Sequence, residues 1–127
     1  MFSIAGPSLT ALLACAILED LSRRGWTVCI PAVTLAEVVT GRPGNDVPID
    51  RLVKRVANTV PCGEGLAKAA GVLRTGYRRA KEDSPSGIDA IVAAVAAANQ
   101  PSIVLTTDID DFRSLLVSAE LASVIGV

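Results

Sequence analysis

The chain reads as an α/β domain with a mainly parallel sheet, and three observations predict this. Short apolar runs, WTVCI at 26–30 and SIVLT at 102–106, alternate with longer amphipathic stretches, the pattern of strands joined by helical crossovers. The segment IDAIVAAVAAA at 88–98 is apolar on every face apart from Asp89, which puts a helix in the interior. Hydrophobic residues make up 50% of the 127 positions and charged residues 20%. That is enough apolar surface for one domain over residues 1–127 and too much for a disordered chain.

The elements follow in order. Residues 9–24 carry helical spacing and stop at Gly25, a residue suited to the left-handed turn that closes helices. WTVCI is a strand ended by Pro31, and Thr34 to Thr40 a short helix ended by Gly41. GRPGND (41–46) reads as a loop, and Pro48 to Asn58 as a helix with Arg51, Lys54 and Arg55 on its solvated side. TVPC around residue 60 is a short strand. Residues 64–82 form a longer helix despite Gly71 and Gly76, each costing about 1 kcal/mol relative to Ala. The helix at 88–98 leads into a strand, Ser102 to Thr106, buried on both faces. Asp111 to Glu120 is the last helix and ASVIGV a final strand.

A net charge of −1 provides no global field to draw the protein onto nucleic acid, so any such contact is local. The aromatic residues Phe2, Trp26, Tyr77 and Phe112 are too few for a base-stacking platform. Cys15, Cys29 and Cys62 are odd in number and lack C-x-x-C spacing, which fits reduced thiols in the cytoplasm rather than a disulfide framework. The apolar opening MFSIAGPSLTALLACAIL has no Lys or Arg before Arg23, whereas a signal peptide wants a basic start. The apolar run at 90–103 is too short to span a bilayer. No membrane association is expected.

The chain contains no histidine, so hydrolytic chemistry would have to run on carboxylates and a metal. Glu37 is the only charge in VTLAEVV, Asp89 opens the Ala-rich helix, and Asp108, Asp110 and Asp111 follow the strand SIVLT. Acids in apolar sequence are costly unless paired, capped or metal-bound. Capping is one account. Glu37 lies three residues after Thr34 and Asp89 three after Ser86, the spacing of a capping box, and Asp108 or Asp110 suits the N-cap of the last helix. Convergence is the other. Strand ends in a parallel sheet gather at one edge, where ligand sites lie. Glu37 follows the first strand and Asp108 the later one, and Asp89 joins them if the start of its helix folds over that crevice. Carboxylates within about 5 Å of one another call for a hard cation such as Mg²⁺ or Mn²⁺.

The segments PAVTLAEVVTG (31–41), SPSGIDAIVAA (84–94) and IVLTTDIDDF (103–112), in this order and spacing, resemble the PIN-domain ribonucleases, in particular the VapC toxins of bacterial toxin–antitoxin pairs. The likeness runs from Trp26 onward and implies a PIN-like three-layer α/β/α fold with a mainly parallel central sheet. It assigns Glu37, Asp89 and Asp108 as ligands of Mg²⁺, with Mn²⁺ as the other possible ion, and Asp111 as a fourth catalytic acid that orients water. It further implies hydrolysis of RNA phosphodiester bonds, a cognate antitoxin that holds the toxin neutral, a homodimer and a cytoplasmic location. One departure stands at the N-terminus. The family opens with a strand ending in Asp, whereas this chain has IAGPSLTALL with Ile4 in that place and no acid before Glu19. A catalytically degenerate PIN-like module, retained to bind a protein partner or RNA, is therefore the second reading. Arg74, Arg78 and Lys81 share one helix face at i, i+4, i+7. They suit either contact with an RNA backbone or a solvated surface.

Overall fold

Glycine decides the turn that closes the first described helix. In the computed structural model, which describes residues 8–80 and 86–127, helix α1 (Ser8–Arg23) closes at Gly25, where φ is +94°. The Gly25 N–H donates to Ser22 O at 3.1 Å and the Trp26 N–H to Leu21 O at 3.0 Å, the paired bonds of a Schellman closure. Trp26 is used up in that closure, so strand β1 (Val28–Pro31) starts two residues later than the sequence predicts and takes in Pro31.

Helix α2 (Ala32–Val38) follows β1 with no loop between them, and its N-cap is Pro31, which makes no side-chain cap. The expected capping box of Thr34 and Glu37 is thereby overturned: Thr34 is already inside the helix and buried. The next helix also starts earlier than expected. Helix α3 (Pro43–Arg55) takes in most of the predicted 41–46 loop because Pro43 sits in its first turn, where a missing N–H costs nothing. Pro48 lies inside it and cannot bond to Gly44 O. Gly44 is exposed, so water can serve that carbonyl. Strand β2 (Ala57–Val60) then replaces the end of the predicted helix.

In the second half, α4 (Glu64–Ala80), α5 (Gly87–Ala98), β3 (Ser102–Thr106), α6 (Ile109–Leu115) and β4 (Ala122–Gly126) complete the chain. Strand β3 and the Ala-rich helix match their predicted places. Helix α6 starts two residues early and ends at Leu115 rather than Glu120. Turns bury Leu116 and Ala119 there, and the Ser102 N–H reaches Leu121 O at 3.0 Å. This contact brings the chain back to β3.

The α/β class holds, and both strand pairs are parallel: β1 with β2 from Val28↔Ala57 to Pro31↔Val60, and β3 with β4 from Ser102↔Ala122 to Thr106↔Gly126. Among the described residues they make two two-stranded sheets rather than one continuous sheet. A cavity of about 660 Å³, lined by Val28, Cys29, Ser102 and Ile103, opens between β1 and β3. Strand β3 faces two apolar clusters, as its unbroken apolar run requires. Leu105 joins Leu18, Ile30 and Leu52, while Val104 joins Val92, Phe112 and Leu115. No helix among the described residues is long and apolar enough to cross a membrane.

Thr34 is 1% exposed, and its hydroxyl has no hydrogen-bond partner among the described residues. A buried hydroxyl without a partner costs roughly 1–3 kcal/mol. Thr34→Val keeps the shape and removes that cost, so denaturant unfolding should show a gain of about 1 kcal/mol. A loss of stability would mean that the hydroxyl is satisfied.

Candidate metal centre

Two elements of matched length set the site. Helix α5 spans 12 residues and β3 spans 5, so they run about 18 Å and about 17 Å respectively. Only residues 99–101 join them. The start of α5 therefore returns to the level at which β3 ends.

At the helix start, Ser86 is the N-cap, and its hydroxyl accepts from the Asp89 N–H at 3.0 Å. The predicted Ser86–Asp89 cap is thus real on the serine side. At the strand end, the Asp108 N–H donates to the Thr106 hydroxyl at 2.9 Å. Asp108 occupies the N-cap position of α6, yet its carboxylate makes no capping bond. Asp111 is three residues further on, and on a helix that spacing shares one face.

One carboxylate oxygen from each of Asp89, Asp108 and Asp111 lies within 4.8 Å of the other two. Asp89 and Asp111 are partly buried and Asp108 is exposed. Burial pushes the Asp89 carboxyl up to about 6, and the charges of Asp108, Glu37 and Asp111 push the same way against a hydrogen bond from Ser86. Glu37 therefore stands outside the group of three but near enough to act on it. The other three predicted acids all bear on the Asp89 carboxyl. Asp110 is not part of the group.

Oxygen ligands on Mg²⁺ at about 2.1 Å are at most about 4.2 Å apart, and on larger hard cations about 5 Å. A set held within 4.8 Å fits a hard cation after contraction by a few tenths of an ångström. The donors are all carboxylates, the type such ions take.

No protein-family model matches this chain, and no curated protein does. The site accordingly rests on its own geometry. The predicted basic stripe lies partly outside the described residues. Arg74 is partly buried in α4, Arg78 belongs to the same helix, and Lys81, like Ile4, lies outside the described residues. Asp46 is the acid that sequence reasoning passed over, because the segment 41–46 reads as an ordinary loop. The signal was Pro43, which suits the first turn of a helix, followed by Asp46 where a helix start favours an acid.

Proposed function

We propose that the chain is a PIN-like, VapC-type endoribonuclease that hydrolyses RNA phosphodiester bonds. Asp89, Asp108 and Asp111 would hold Mg²⁺ or Mn²⁺, with Glu37 completing the acidic edge. The single observation that carries this reading is the convergence of three carboxylates from α5, the end of β3 and α6 on one point. It is supported by the failure of the capping account at two of the acids. Glu37 has no capping-box partner in Thr34, and Asp108 caps nothing with its side chain. The cation would supply Lewis-acid chemistry, countering negative charge that builds on the phosphoryl oxygens. The chain's own part is to hold the acids together at the cost of mutual repulsion, to keep Asp89 partly dry and to place Asp111 where it orients a water. The same reading takes a cognate antitoxin as the protein partner, a homodimer as the assembly and the cytoplasm as the location.

The test is a Mn²⁺ titration by calorimetry, then cleavage of RNA with and without EDTA. Saturable Mn²⁺ binding and EDTA-sensitive cleavage are expected. A protein that binds no divalent cation sinks the reading. Glu37→Gln sharpens the test. Glu37 is exposed and its helix lacks a side-chain cap, so stability should change by less than about 0.5 kcal/mol. Mn²⁺ affinity should fall about tenfold, and cleavage with it. Unchanged cleavage by the Gln variant would count against any role for Glu37 at the centre.

A further inference from the structure

The turn after α2 is folded around one carboxylate. Asp46, in the first turn of α3, accepts from the Thr40 N–H at 2.8 Å, the Gly41 N–H at 2.6 Å and the Thr40 hydroxyl at 3.2 Å. It also accepts from the Asn45 side-chain amide at 2.8 Å. The same Asn45 amide donates to Val38 O at 2.9 Å, one of the carbonyls that a helix end leaves without an internal partner. Gly41 takes φ +80° to present its N–H, a conformation that glycine reaches without steric cost. The Thr40 N–H above all, then the Asn45 amide, holds the Asp46 carboxyl below the usual carboxylate range.

Helix α2 has 7 residues and no side-chain cap at its start, and a helix that short does not hold its shape alone. Its last turn carries Glu37, one residue before the carbonyl that Asn45 caps. We propose that Asp46, acting through Asn45 and the Thr40–Gly41 turn, is a positioning residue that sets where Glu37 stands on the acidic edge, since α2, which carries Glu37, packs against α5. This rests on the metal-centre reading for its purpose, but Asp46 touches no cation. The sequence 41–46 is then a brace for the acidic edge rather than a passive connection.

The experiment is a double-mutant cycle of Asp46→Ala and Glu37→Gln with two readouts. The first, on metal-free protein, is hydrogen exchange at the Val39 amide, whose N–H donates to Leu35 O at 3.0 Å at the end of α2. Asp46→Ala should speed that exchange by at least about tenfold, and Glu37→Gln should leave it within about twofold of the parent. The second is Mn²⁺ affinity, which each single change should weaken by about tenfold, with no more than about a further twofold in the double variant. A folded Asp46→Ala protein with unchanged Val39 exchange overturns the proposal, as do fully additive effects on affinity. If Asp46→Ala does not fold, Asn45→Ala decides on the same readouts, since it removes only the Val38 cap and one of the four bonds to Asp46. If the parent binds no Mn²⁺, the functional reading fails while Val39 exchange still decides the positioning role.

Discussion

Asp89→Asn is expected to abolish Mn²⁺ binding and, in the same protein, to raise the melting temperature without metal. Both effects have one cause. Asp89 is pushed up to about 6, first by burial and then by the charges of Asp108, Glu37 and Asp111. Its folded value thus lies above its unfolded one. The stability this carboxyl contributes is fully present below its unfolded value of 3.8 and is lost as pH rises through about 6. The metal-free parent should accordingly be less stable at about pH 7.5 than at about pH 5 as far as this group is concerned. Asn has nearly the same shape and no charge, so it removes that part of the pH dependence. Discounted for the partial exposure of the site, the gain near neutrality is about 1 kcal/mol, or roughly 3–6 °C. Metal affinity should fall by at least about 100-fold, because a direct oxygen ligand is lost rather than one of its supports. Thermal melts at the two pH values with and without Mn²⁺, joined to calorimetry, read both effects. An Asn variant that binds Mn²⁺ like the parent would make Asp89 a cap and nothing more.

A gain in stability with a loss of ligand separates an electrostatic site from a structural one, and it also shows why the site was partly legible. Three charged residues in otherwise apolar sequence, Glu37, Asp89 and Asp108, were visible as anomalies before any geometry. The meeting of Asp89 with Asp108 follows from lengths: α5 and β3 cover nearly the same distance, so Asp89 returns to the strand end. Asp111 rather than Asp110 enters through the resemblance, and the structure sets its carboxylate beside those of Asp89 and Asp108. Strand β3 and helix α5 were equally legible, because a run buried on both faces and a helix buried on every face leave little ambiguity of period. Other parts were not. The start of α2 is hidden because Thr34 and Glu37 mimic a capping box, while the chain enters the helix straight from Pro31. Pro48 looked like a helix start, and the helix in fact begins at Pro43 and accepts Pro48 inside it. The Asp46 bonds to Thr40 and Gly41 join the start of one helix to the turn leaving another, and no periodicity announces them. The end of α6 is set by where β4 must pair with β3, a tertiary demand absent from local sequence.

Phe112→Ala should produce the opposite pairing, losing stability and metal together. Phe112 is 0% exposed and follows Asp111 directly in α6. It packs in the cluster with Val92, Val104 and Leu115, so its ring ties the 7-residue helix α6 to α5 and β3. Truncation leaves a cavity and should cost about 3–5 kcal/mol, a large share of the roughly 5–15 kcal/mol that holds a typical domain folded. Helix α6 also carries Asp111, and the Phe112 N–H bonds to Asp108 O at 3.3 Å across its first turn. Loosening this helix separates the two acids it presents, and Mn²⁺ affinity should drop even where the variant remains folded. Phe112→Leu refills most of the space and should cost about 1–2 kcal/mol, with metal binding close to the parent. Urea unfolding gives the stabilities, and calorimetry below the unfolding transition gives the affinities. If Phe112→Ala loses less than about 1 kcal/mol, α6 is held by something other than its ring. If it loses stability while keeping full Mn²⁺ affinity, the acids are placed by the end of β3 alone and α6 adds nothing to the site.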